Sequence, residues 1–232
     1  MSSSAAALRY WERRQEVSSN NLANVSTDGF KSQKVFAQMV EGSLPAANAV
    51  TDFTPGPLNT TGNPLDVAIE GRGFMVVQTP NGERLSRGGA LRVDNTGTLT
   101  DPAGNAIMGE GGTIRVSSRG DAQAGEIQIT RTGAVMVDKA EVGRLKVETV
   151  PDNTPLLREG SGLFVPPVKR ARVDPDTVSI RQGSLEQSNV SSVGEMVDMI
   201  SIQRAYTAVQ KAMTTIDGAR GIATGELGRP AN

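Results

Sequence analysis

The side chains that carry most protein chemistry are missing: among 232 residues there is neither a cysteine nor a histidine. That removes the thiolate nucleophile, the disulfide framework and cysteine metal sites. It also removes the Ser-His-Asp triad, imidazole acid–base work and histidine-bearing metal sites. A hydrolase would then need a carboxylate pair, a Ser-Lys dyad or an oxygen-bound metal, and no Ser-x-x-Lys occurs. Gly71-Arg72-Gly73 and Gly109-Glu110-Gly111-Gly112 look like phosphate loops but lack the G-x-x-x-x-G-K-[ST] spacing and a following helix, so they read as β turns. Asp94-Asn95-Thr96-Gly97 with Asp101 lacks the alternating ligands and distal Glu of a calcium loop and reads as a turn. Lys169, Arg170 and Arg172 read as a solvated linker. The expectation is no catalytic residue, no cofactor and no metal.

Composition points the same way. Aromatics are only 3% of the chain while glycine reaches 26 residues, which favours a Gly-punctuated β body over one large aromatic core. Basic and acidic residues balance at 24 against 25, so no nucleic-acid partner is expected. The longest early apolar run, Ala5 to Leu8, is too short for a cleavable signal core or a membrane span. Direct membrane insertion is not expected, and export would depend on a different signal.

Periodicity divides the chain into a mixed α and β architecture. Leu8, Trp11, Gln15, Ser18, Leu22 and Val25 recur at helical spacing, broken by Asn24 through Gly29, and Val35, Phe36, Met39 and Val40 add a short second pattern. Residues 1–40 are therefore expected to be an N-terminal helical segment and 41–64, with Pro45, Pro55 and Pro57, an extended connector. Residues 65–182 carry many short extended pieces separated by turn formers such as Pro80-Asn81-Gly82, the pattern of an antiparallel sandwich or open barrel. Pro151 to Pro175 reads as extended.

Residues 183–232 revert to a helical period. Met199, Ile202, Tyr206, Val209, Met213 and Ile216 form a 3-4-3-4-3 seam, with Val193, Val197 and Ile200 in an adjoining row. Ser188 or Asn189 is expected to cap this helix, and the Gly-rich tail after Gly218 to fray. One apolar face cannot offset the entropy of ordering so long a helix, so it needs a partner along its length, the N-terminal helix, other subunits or both, and the termini are expected to order on assembly.

Three stretches carry a resemblance. Asn20-Asn21-Leu22-Ala23-Asn24-Val25-Ser26-Thr27-Asp28-Gly29-Phe30-Lys31 resembles, without a break, the N-terminal signature of the bacterial flagellar rod and hook family. Thr61 to Phe74 (TGNPLDVAIEGRGF) is similar to the start of that family's β domain. Gln182 to Val190 with Met196 to Ile200 and Gln203 to Tyr206 is similar to its C-terminal helix region. The resemblance implies a structural subunit exported unprocessed through the flagellar type III apparatus. It further implies helical polymerisation in the periplasm, with the two terminal helices paired in an inner coiled-coil layer and the β domain outside, and self and neighbouring rod proteins as partners. Only 31 residues, Ser32 to Gly62, separate the first block from Asn63, which favours the proximal rod members over distal ones. Asn20, Asn21, Leu22, Asn24, Val25, Phe30 and the six seam residues are the expected assembly interface. The rival from another class is a secreted β-domain binding or adhesion module.

Overall fold

The computed structural model describes residues 2–38, 46–116, 125–151, 154, 156–160, 162–173 and 179–227. Two compact units divide the chain: the first takes residues 1–25, 33–52 and 190–232, the second 26–32 and 53–189.

The second unit is built of antiparallel β-structure around the strand Phe74–Thr79. That strand pairs with Gly82–Ser86 across the Pro80-Asn81-Gly82 turn, where Gly82 takes the positive φ of 99°. It also pairs with Ala106–Gly109 and with Val147–Thr149. Its unbroken apolar run has a simple cause. Successive side chains point to opposite faces, so Met75 and Val77 enter one core with Ile107, Leu145 and Ile180, while Phe74 and Val76 enter a second with Leu85, Phe164 and Phe53. Smaller sheets join Ser179–Gln182, Asp66–Glu70 and Gly88–Ala90, and Ile127–Ile129, Ala134–Val137 and Ala140–Arg144. Among the described residues none of these sheets closes on itself.

Several local expectations change here. Ser179–Gln182 and Ser184–Glu186 are strands, although a C-terminal helical segment was expected from residue 183. Gly183, at φ 72°, turns the corner between them, and Ser184–Glu186 pairs with Leu58–Thr60 inside the expected connector. Gly88 and Gly89 lie within a strand. A Cβ on Gly88 would meet the Val67 carbonyl oxygen at 2.4 Å, so the close ladder requires glycine there. Between Pro151 and Pro175, Arg158–Glu159, Leu163–Phe164 and Ala171–Arg172 are short strands, and Pro175 lies outside the described residues. The basic run is not a solvated linker. Arg170 forms ion pairs with Glu83 and, at 3.1 Å, with Glu148, while Arg172 stands 3.8 Å from Glu110.

The first unit contains helix α1 (Ser2–Ala23), a hairpin of Gln33–Gln38 with Ala46–Thr51, and helix α2 (Ser192–Leu227). Val35 and Phe36 thus sit on a strand, where alternation replaces the helical reading; Met39 and Val40 lie outside the described residues. The α2 cap is Ser191, whose Oγ accepts from the Gly194 amide at 3.2 Å, so neither Ser188 nor Asn189 serves. The helix continues through Gly218 and Gly221, because isolated glycines cost only about 1 kcal/mol each and no proline intervenes before Pro230.

Glu83 joins Lys146 (3.0 Å) and Arg170 in a network that ties Gly82–Ser86 to residues 146–170. Hydrogen bonds from Lys146 and then Arg170 hold its carboxyl below the usual glutamate range. The native state therefore binds this proton more weakly than the unfolded chain. The resulting stabilisation is complete above the ordinary glutamate pKa and is lost as pH falls below it through the depressed native value. Glu83→Gln should flatten this acid limb, measured as urea midpoints across pH; a parallel acid dependence in both proteins would refute the assignment.

Candidate functional site

The expected interface residues fall into both units. In the first, α1 and α2 run antiparallel: Ser18 and Asn21 bond Glu195, Arg14 stands 3.8 Å from Asp198, and Glu12 accepts from Tyr206 at 3.3 Å. Ile202 is buried on this contact, Met199, Tyr206, Val209 and Met213 are half-buried, and Ile216 is exposed. The seam therefore lies on the less exposed side of α2 up to Met213.

The inner face of α1 differs from the periodic stripe. Ala6, Val17, Ser18 and Asn21 are buried, while Gln15 is exposed and Leu8, Trp11, Leu22 and Val25 are half-buried. The rotation follows from Asn21. Its Oδ1 accepts from the Gln33 amide at 2.9 Å and its Nδ2 donates to the Gln33 carbonyl at 2.9 Å, the double bond of an antiparallel pair. The same Nδ2 also donates to Glu195 Oε1 at 2.9 Å, while Ser18 Oγ donates to Glu195 Oε2 at 2.6 Å. An amide so completely bonded can be buried where a leucine was expected.

Asn20 is exposed, and its carbonyl accepts from Asn24 Nδ2 at 2.8 Å, a local closure of the helix end. Phe30 belongs to the second unit. Arg158 lies 4.1 Å from its ring centroid and donates to the Lys31 carbonyl, while burial pushes the guanidinium pKa down.

The polar residues of the other two motif blocks also acquire partners, all within the second unit. Glu186 is buried against Lys31 Nζ (2.6 Å), Arg87 Nε (3.1 Å) and the Gly56 amide (2.9 Å). Asp66 accepts from Thr61 at 2.6 Å and Asn63 at 2.8 Å. Gln182 spans Ile127 and Ile129, donating to the first carbonyl at 3.0 Å and accepting from the second amide at 3.1 Å. Asn189 accepts from the Ser32 amide at 2.7 Å. None of these residues was expected at an interface. The only sequence signal was the clustering of amides and acids beside glycine inside the motif blocks. Together they make a polar scaffold whose members are bonded to one another or to backbone groups.

Residues 3–31 match the family described as flagella basal body rod protein, residues 68–137 the flagellar hook protein FlgE/F/G D1 domain, and residues 181–224 the flagellar basal body rod FlgEFG protein C-terminal. The chain is 38% identical to the flagellar basal-body rod protein FlgF of Salmonella typhimurium, over 88% of either chain. It is 32% identical to FlgF of Caulobacter vibrioides, over 94% of this chain and 90% of that one. It is 28% identical to the flagellar basal-body rod protein FlgG of Bacillus subtilis, over 93% and 94%.

Bonds to a charged partner contribute about 1.5–3 kcal/mol. In a double-mutant cycle, Asn21→Ala and Glu195→Ala should therefore show a coupling of about 1–2 kcal/mol, with faster amide exchange in α1 for either single variant. Strictly additive losses would show that the bond contributes nothing.

Proposed function

The chain belongs to the flagellar basal-body rod protein family, and from that premise we propose that it is the FlgF-type, proximal member. In this role its two terminal helices pair as a coiled coil and polymerise helically with copies of itself and neighbouring rod proteins. The product is a periplasm-spanning shaft that transmits torque, built from subunits delivered by the flagellar type III apparatus. Two relatives named FlgF, at 37% and 38% identity, stand above those named FlgG, at 28% and 31%, which supports the choice within the family.

One observation carries the assembly reading. Among the described residues, the buried apolar side chains of the first unit are Ala6, Val17 and Ile202, whereas the second unit has two apolar clusters of its own. Helices of 22 and 36 residues are thus supported by almost no core. Their stability has to come from further apolar burial, and neighbouring subunits supply it.

Val209→Asp tests this. A charge on the seam costs a few kcal/mol once neighbours exclude water. The variant should leave cells non-motile and without completed rods, while the purified protein keeps the thermal transition of its β unit. Normal motility would defeat the proposal.

A further inference from the structure

The turn that joins Phe74–Thr79 to Gly82–Ser86 carries the only Asn-Gly dipeptide in the chain. The fold requires this glycine, because Gly82 sits at φ 99°, in the left-handed region that side chains disfavour. Pro80 and Asn81 before it are exposed. An asparagine so placed has a reaction open to it. The amide nitrogen of the next residue can attack the side-chain carbonyl carbon and close a five-membered imide. A Cβ on that next residue would crowd the ring, and Gly82 has none.

The surroundings act in the same direction. The attacking species is the deprotonated amide, so a group that acidifies the Gly82 N–H speeds the closure. Arg84 Nη1 donates to the Asn81 backbone carbonyl at 3.1 Å, the carbonyl of the same peptide unit. A cation there withdraws electron density from the amide and favours loss of its proton. The leaving group is loosely held: Asn81 Nδ2 reaches Glu159 Oε1 at 3.3 Å, longer than a typical N–H···O bond. The turn also closes the end of its ladder, where strand pairs open most readily. Other asparagines lack this combination. Asn63 precedes Pro64, which has no amide proton, and the Thr96 amide that follows Asn95 is already donated to Asp94 Oδ1 at 2.8 Å.

We propose that Asn81 is a site of spontaneous deamidation, with water as the only co-reactant. In the first step the bond from the Gly82 nitrogen to Asn81 Cγ forms, the Gly82 amide proton passes to solvent, and the Cγ–Nδ2 bond breaks. Nδ2 takes up a proton and leaves as ammonia. Water then opens the imide at either carbonyl. Opening at Cγ restores the peptide and yields aspartate, whereas opening at the Asn81 backbone carbonyl carries the chain through Cγ and yields isoaspartate. No atom is oxidised or reduced. Both products put a carboxylate where Glu159 had a donor. Glu159 is the ion-pair partner of Arg84, and hydrogen bonds from Arg84 and then Asn81 hold its carboxyl below the usual glutamate range. The new carboxylate repels Glu159 and competes for Arg84, so the modification loosens the tie between this turn and the Arg158–Glu159 strand.

The test holds the full chain in mildly alkaline buffer. Isoaspartate is then labelled on the intact protein with an isoaspartyl methyltransferase and a radioactive methyl donor. Label should accumulate with time in the tryptic peptide that contains Asn81, in step with a more acidic species on ion exchange. Asn81→Gln should abolish most of it. Arg84→Gln should slow it several-fold in the native chain and leave the rate in urea unchanged, because the bond to the Asn81 carbonyl exists only in the fold. The proposal is overturned if the label lies at other asparagines, or if the native chain stays unlabelled while the urea-unfolded chain converts at Asn81. A native Arg84→Gln rate equal to or above that of the wild type overturns the part assigned to Arg84. The site does not depend on the rod-subunit reading, which stands or falls by its own experiment.

Discussion

The second unit depends on how it solvates one buried carboxylate. Glu186 has lost its water, and an isolated carboxylate in such a place costs far more than a domain can tolerate. Lys31, Arg87 and the Gly56 amide replace that water. Each replacement imposes a condition of its own. Lys31 must also reach the Thr54 carbonyl, and Arg87 must bond the carbonyls of Ile69, Gly71 and Gly73. Gly56 cannot carry a side chain, because a Cβ would meet the Gln187 carbonyl oxygen at 2.1 Å. The acid thus gathers residues 31, 54–56, 69–73, 87 and 186 into one arrangement. Replacement by apolar groups often matches such a cluster in stability; what it contributes here is a unique placement of the two segments, near Lys31 and Glu186, by which the chain enters and leaves the unit.

That cluster explains a division in what the sequence makes legible. The β body was readable because alternation and turn formers are local: Pro80-Asn81-Gly82 turns, and Phe74 to Val77 is buried on both faces. The family resemblance was readable as well, since the three blocks stand intact in the chain. What each polar residue in those blocks does was not. Lys31 and Glu186 are 155 positions apart, and Gln182 bonds two residues of one strand that lie 53 and 55 positions away. A charged residue next to glycine looks solvated in any local window, and only the fold shows that it is enclosed. Arg170, read as part of a linker, is the same error in milder form.

The helices fail differently. Apolar spacing put Leu22 on the inner face of α1 because an asparagine is normally excluded from one. Asn21 takes that place because the Gln33 peptide and Glu195 satisfy its whole amide. The α2 seam was legible through Met213 because hydrophobic periodicity alone sets it. The start of α2 was misplaced because Ser188, Asn189 and Ser191 are all good caps, and Asn189 is already used in the second unit, where it binds Ser32.

The two units therefore differ in what holds them. In the second, apolar side chains from many strands cover one another, and the polar groups between them are paired. In the first, polar bonds such as those of Asn21 and Glu195 set direction and register, while apolar cover is sparse. Hydrogen bonds of this kind specify geometry but add little net stability, because water satisfies the same groups in the unfolded chain. A helix pair whose register is set by polar bonds while its apolar surface stays bare keeps that surface for further burial. A larger internal core would have stabilised the isolated chain, but at the expense of those bare surfaces.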